Sequence, residues 1–239
     1  MNQPTPPSQE KTQVQETGLV EWFTDEFVPR FGKQSLYVLA GVILVAGAVM
    51  YFNNSREAQQ VKENKELGQA FAYLSHDQND SAEAFLADFV KQSHSRLVQD
   101  KANLMLGSVR YSLGKYDEAI QAYGQVTPAD KDRALVSSGA LHGLASSHMQ
   151  KKDYAKAAEL LESFLARFMR KTGNPAEKVE GREVADLSPA APNALWKLAL
   201  CHRELKQMDK SKAAAEKLIR IYPETREAFE AKRFLAQIP

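Results

Sequence analysis

Residues Ser35 to Phe52 read SLYVLAGVILVAGAVMYF, eighteen positions without a charge. At about 1.5 Å of rise per residue a helix of this length spans roughly 27 Å, close to the hydrocarbon thickness of a bilayer. Backbone in lipid must satisfy its own hydrogen bonds, so the run is expected to be one transmembrane helix. Tyr37, Tyr51 and Phe52 lie at its ends, where interfacial aromatics belong. A buried core helix is the competing reading, and apolarity on every face argues against it. A cleaved signal is the other, with Ala46-Gly47-Ala48 as its cleavage site. It would have a shorter apolar core than this and a basic start, whereas a long, partly acidic tail precedes the run. Flanking charge is nearly balanced, with Arg30 and Lys33 before the run and Arg56, Lys62 and Lys65 after it. Charge alone therefore does not orient the span.

The tail has two parts. Residues 1–17 are rich in Pro, Gln, Thr and Glu and nearly free of large apolar side chains, so they cannot bury enough surface to offset ordering entropy. A disordered tail is expected there. Over 18–34, Leu19, Trp22, Phe23 and Phe27 recur at helical spacing opposite Glu21, Asp25 and Glu26. This predicts a short amphipathic helix lying in the membrane interface, ended by Pro29 and Gly32.

The remainder is helical and repetitive. Three segments run in phase: DKANLMLGSVRYSLGKYDEAIQAYGQV, SGALHGLASSHMQKKDYAKAAELLESFLARF and PNALWKLALCHRELKQMDKSKAAAEKLIRIYP. Each has an early apolar-small pair (Leu106-Gly107, Leu144-Ala145, Leu198-Ala199) and a polar turn with an apolar plug (Tyr116, Tyr154, Met208). A small residue follows (Ala119, Ala157, Ser211), and a larger apolar one closes the second helix (Val126, Phe164, Leu218). Small residues on facing helices allow close approach, and the large ones fill the space between helix pairs.

This pattern resembles the tetratricopeptide repeat (TPR), a helix-turn-helix unit of about 34 residues. The expected fold is all-α: a single N-terminal transmembrane helix followed by a TPR-like α-solenoid. The third repeat departs from the pattern at Met208 and Ser211. The predicted organisation is a disordered tail (1–17), a juxtamembrane amphipathic helix (18–34) and a transmembrane helix (35–52). A linker helix and degenerate first repeat follow (53–99), then TPR-like repeats (100–239). Ala157 and Ser211 are 54 residues apart, which leaves room for a polar loop at about 169–189. ETREAFEAKRFLAQIP reads as a capping helix, with Glu224 and Glu227 at its positive N-terminal end.

No catalytic constellation emerges. Cys201 falls inside a helix one turn beyond Leu198 and reads as a small buried hydrophobe. The five histidines lack a neighbouring ligand cluster, and the glycines stand singly rather than in a phosphate loop. With 31 basic against 30 acidic residues there is no basic excess for nucleic acid. The expectation is a non-enzymatic binding protein without metal, cofactor or small-molecule substrate. Its binding surface is the groove of the solenoid. First-helix polar residues Asn103, Arg110, His142, Ser146, His148, Asn193, Lys197 and His202 are candidates to line that groove.

The layout as a whole, with EWFTDEFVPRFGKQSLYVLAGVILVAGAVMYF ahead of Ala-rich repeats, is similar to the YfgM-type ancillary subunit of the bacterial Sec translocon. That resemblance implies an inner-membrane protein with a cytoplasmic N-terminus and a periplasmic TPR domain. It implies translocon, chaperone or envelope proteins as partners, and a role assisting translocation or chaperone handover. The long tail and the 169–189 loop depart from the pattern. IRIYPETREAFEAKRFLAQIP also resembles the TPR end of envelope-coordination proteins of the Tol-Pal type. A TPR domain facing the cytoplasm, as a regulatory subunit of a membrane or enzyme complex, is the remaining alternative.

Overall fold

The computed structural model describes residues 28–127, 134–169 and 188–237, with backbone alone at 28–31, 33–36 and 39. The predicted tail and most of the predicted amphipathic helix lie outside these residues, as does most of the predicted loop. Among the described residues the regular elements are helices: α1 (Val28–Ser75), α2 (Asn79–Gln92), α3 (Arg96–Ser112) and α4 (Tyr116–Gly124). Then come α5 (Ala134–Gln150), α6 (Tyr154–Phe168), α7 (Ala191–Glu204), α8 (Met208–Ile221) and α9 (Arg226–Ala236).

The chain divides into two compact units, Met1–Ala58 and Gln59–Pro239. In the first, Pro29 and Gly32 fall within α1 rather than ending a helix ahead of it. Proline is compatible with a first helical turn, because the N–H it lacks has no intrahelical acceptor there. Every side chain from Val42 to Phe52 is exposed. Among the described residues no helix is long and apolar enough to cross a membrane. The side chains of Ser35, Leu36 and Leu39, within the predicted span, lie outside the described set.

The second unit is a stack of helix pairs. Four turns share one backbone device. Asp77, Gly114, Lys152 and Lys206 take φ values of 54°, 75°, 62° and 58°, each two residues before a second helix. In each turn the next residue's N–H reaches back five positions, as from Lys115 to the Arg110 carbonyl (2.8 Å) and from Gln207 to the His202 carbonyl (2.8 Å). This is the Schellman cap, which stops one helix and aims the chain into the next. Glycine meets the left-handed requirement at only one of the four turns, and the three others accept the cost of a Cβ there.

Packing follows the small-large pattern. Ala119, Ala157 and Ser211 have no exposed surface. The Ser211 hydroxyl donates to the Ala199 carbonyl at 2.8 Å, so a polar atom is tolerated where the repeat otherwise has alanine. Tyr123 is gripped by two glycines: a Cβ on Gly107 would stand 2.6 Å from the ring, and one on Gly143 would stand closer still. The largest core joins α5 to α9 around Leu161, Phe164, Leu195 and Leu218, with Cys201 fully buried in it. A second core joins the C-terminal part of α1 to α2, α3 and α4 through Leu67, Leu86, Phe89, Val98 and Ala122. Buried Glu63 ties α1 to the α2–α3 connection. It accepts from Gln59 Nε2 (2.9 Å), Ser93 Oγ (2.7 Å), His94 N (3.0 Å) and Ser95 N (3.0 Å). Burial pushes its pKa up, but these donors more than offset that and hold it at about 2.

Candidate binding face

Successive first helices touch directly, α3 with α5, α5 with α7 and α7 with α9, and form the inner layer of the stack. On this layer lies an open cleft of about 520 Å³. Phe71 and Leu74 of α1, Leu104, Met105 and Ser108 of α3, and Gly139, His142 and Gly143 of α5 line it, with Tyr123 from α4. The two α5 glycines let Leu104 and Tyr123 approach the helix backbone closely on that side. Phe71 is 63% exposed, so a large aromatic stands at the rim, uncovered among the described residues.

His142 is the edge of the cleft and the start of a polar group that continues onto α7 and α9. Its Nε2 lies 3.1 Å from Asn193 Oδ1 and 3.4 Å from Lys197 Nζ. Lys197 Nζ donates to Ser146 Oγ at 2.6 Å, and Ser146 Oγ donates to the His142 carbonyl at 2.8 Å. Asn193 Nδ2 reaches Glu227 Oε1 of α9 at 3.4 Å. The His142 ring packs near Phe164, centroid to centroid 5.8 Å. Burial, reinforced by the Lys197 charge, lowers the His142 pKa to about 4 against the Asn193 contact, so the ring is neutral at pH 7. Burial also lowers Lys197 to about 8. Among the described residues no carboxylate pairs with Lys197, and a neutral imidazole and one hydroxyl are its nearest polar neighbours.

Four of the eight predicted lining residues, His142, Ser146, Asn193 and Lys197, thus converge. The other four do not join them. Asn103 is buried, at 3% exposure. Arg110 is held by Glu83 (3.1 Å) and Glu118 (3.6 Å), and Lys115 shares Glu83 at 2.6 Å. Burial opposes but the Lys115 hydrogen bond dominates, so the Glu83 carboxyl lies below its usual range. His148 and His202 occupy equivalent positions and do equivalent work. His148 Nδ1 meets Asp153 Oδ2 (3.0 Å) and His202 Nδ1 meets Gln207 Oε1 (2.9 Å), each bracing the turn to the next helix. Phe71, Met105 and Glu227 belong to the face although the polar pattern of first helices did not select them. Apolar character selects core residues too, and Glu227 also lies in the first turn of α9, where its charge suits the helix N-terminus.

A family model for the tetratricopeptide repeat-like domain matches residues 26–170, and one for the tetratricopeptide repeat matches residues 193–225. Comparison with curated proteins gives no match. Among solved structures, the crystal structure of MamA is 17% identical and matches with a TM-score of 0.51, over 70% of this chain and 84% of its own. MamA 41-end from Desulfovibrio magneticus RS-1 is 16% identical at a TM-score of 0.51, over 74% of this chain and 92% of its own. YrrB, described as a TPR protein with an unusual peptide-binding site, is 13% identical at a TM-score of 0.53, over 91% of this chain and 97% of its own. At these identities the likenesses speak to fold alone. With more than half of its length matched by the first family model, the chain belongs to the tetratricopeptide repeat-like family.

Proposed function

We propose that the chain is a membrane-anchored adaptor that holds polypeptide partners on its first-helix face. The observation that carries this reading is the open cleft of Phe71, Leu104 and Met105 next to the polar group around Lys197. Apolar anchoring flanked by a few placed polar groups suits capture of an extended segment or a partner helix. A peptide-binding site is described for YrrB, which shares the fold.

The anchor is the Ser35–Phe52 run. Two facts support it: the exposure of every side chain from Val42 to Phe52, and a family match that starts at residue 26 and so includes the run. Water would penalise such a surface heavily, and lipid would not. By the resemblance to YfgM-type subunits, the N-terminus lies in the cytoplasm and the repeats in the periplasm of a bacterial inner membrane. The partners on that reading are translocon, chaperone or envelope proteins.

The test combines topology with contact. A C-terminal epitope in intact spheroplasts is expected to be digested by added protease. A photo-crosslinking residue at Met105 is expected to give protein adducts in the same cells. Protection of the epitope until lysis would place the repeats in the cytoplasm and end the periplasmic reading. Adducts no more abundant than from an exposed second-helix position such as Glu216 would end the assignment of the face.

A further inference from the structure

Among the described residues, Lys197 is an ammonium group without a carboxylate partner. It has three N–H donors, and among the described residues one good acceptor is supplied, Ser146 Oγ at 2.6 Å. The second neighbour, His142 Nε2 at 3.4 Å, also lies 3.1 Å from Asn193 Oδ1. One imidazole nitrogen cannot donate to the Asn193 oxygen and accept from Lys197 at the same time. Whichever way it is protonated, Lys197 retains unused donors in a half-buried setting where solvent compensates poorly. The charge that would satisfy it is absent from the described surroundings. Glu227, the acidic residue of the group, is engaged with Asn193 and not with Lys197.

The position of this cation matters as much as its charge. His142 borders the apolar cleft on one side and contacts Lys197 on the other. One short segment therefore meets both. The first-helix face continues past Lys197 onto α9, so a bound chain has surface to run on and need not end there. Resting on the adaptor reading above, we infer that the face takes an internal polypeptide segment bearing a large apolar side chain and, nearby, an Asp or Glu. The apolar group enters the cleft beside Phe71 and Met105. The carboxylate accepts hydrogen bonds from Lys197 Nζ, completing a charge-assisted contact that the unliganded chain lacks.

The test is selection on the full-length chain in lipid nanodiscs from a phage library of random dodecapeptides displayed with residues flanking both ends. Enriched sequences are expected to pair Leu, Met or Phe with Asp or Glu at a fixed separation. Synthetic peptides made from them should lose about tenfold in affinity when the acid is changed to Gln, a measurement made on unaltered protein. Lys197→Met should bind the acidic peptide about tenfold more weakly and should no longer distinguish it from the Gln form. Lys197→Arg should retain the preference. Apolar peptides without an acid, or an acid preference that survives in Lys197→Met, would overturn the inference and leave groove binding intact. Enrichment confined to a second library with free C-termini would assign the contact to a terminal carboxylate and overturn the side-chain assignment. No enrichment on the wild-type chain would overturn the adaptor reading itself.

Discussion

Replacing Lys197 by methionine should make the protein more stable while weakening what it binds. In the folded chain, burial lowers the Lys197 pKa from 10.5 to about 8. At 1.36 kcal/mol per pH unit, that difference corresponds to a penalty on the order of 3 kcal/mol for holding the ammonium in place at neutral pH. Methionine has nearly the same length and no charge, so it sheds the penalty. It also loses the Nζ–Ser146 Oγ hydrogen bond, worth on the order of 1 kcal/mol. The Ser146 hydroxyl keeps its acceptor, the His142 carbonyl, so no new unsatisfied group is left behind. The net gain is about 2 kcal/mol, or on the order of 4–8 °C in Tm for a unit of this size.

The pH dependence separates this cause from ordinary repacking. Between about 8 and 10.5 the unfolded chain holds a proton on Lys197 that the folded chain has released. Wild-type stability therefore gains a rising contribution from this residue across that window. Below about 8 the penalty is present in full, and above 10.5 it is gone. Methionine has no such term. The advantage of Lys197→Met should be largest at pH 7 and should shrink steadily toward pH 10.5. Urea unfolding of both full-length proteins in detergent, followed by circular dichroism at several pH values, measures the difference directly. Titrations common to both proteins cancel in it. A destabilised variant, or an advantage independent of pH, would refute the account of Lys197 as a half-buried cation with no carboxylate partner among the described residues.

Two further substitutions probe the scaffold that holds the face. Gly143→Ala gains about 1 kcal/mol of helix propensity but drives a methyl into the Tyr123 ring, where overpacking costs about 1–3 kcal/mol. A net loss in the urea midpoint is expected, relieved in a Tyr123→Leu background, and a raised midpoint would contradict the grip on Tyr123. Glu63→Gln keeps the shape but turns an amide toward the donors of Ser93, His94 and Ser95, and should cost about 2–3 kcal/mol at pH 7. Because the Glu63 pKa is lowered from 4.5 to about 2, its contribution is complete above about 4.5 and is lost as pH falls toward 2. The gap between wild type and Glu63→Gln should close over that interval, and a constant gap would mean that the carboxylate charge is not what holds the α2–α3 connection.

The repeats were legible because packing demands them. Where two helices must approach closely, only small side chains fit, so Ala119, Ala157 and the Leu-Gly or Leu-Ala pairs mark the register in plain sequence. Even the departure at Ser211 does not break it, since the hydroxyl finds the Ala199 carbonyl one helix away. The candidate site was legible only by half. Membership of a first helix says that a polar residue is available, but not which way it points or what already holds it. Arg110 is engaged by Glu83 from α2, and His148 by Asp153 across a turn, contacts set by the angle between helices rather than by spacing along one. The converse holds for His142 and Lys197. They are 55 residues apart, and no local pattern relates them. Pro29 and Gly32, expected to end a helix, lie within α1, since proline breaks a helix interior yet suits a first turn.

The placement of the polar group follows from the distribution of the cores. In stacked repeats each unit interacts chiefly with its neighbours, so local packing must offset a local penalty. Lys197 and His142 sit over the largest core of the chain, where Leu161, Phe164, Leu195 and Leu218 are almost wholly buried between α5 and α9. A cation that lacks a carboxylate partner among the described residues, at a cost of a few kcal/mol, can persist there without unfolding its own unit. The α4–α5 junction is thinner, with Ala119, Tyr123 and Ala140 as its buried apolar residues, and it faces the apolar end of the cleft. A charge set there would have little packing to hold it, whereas an apolar rim such as Phe71 imposes no desolvation cost. The face thus puts its electrostatic demand where the scaffold is strongest and its hydrophobic surface where the scaffold is weakest. That division of labour gives Lys197 its significance: a half-buried cation on the best-packed part of the stack, at the edge of an open cleft, is placed to meet a bound partner.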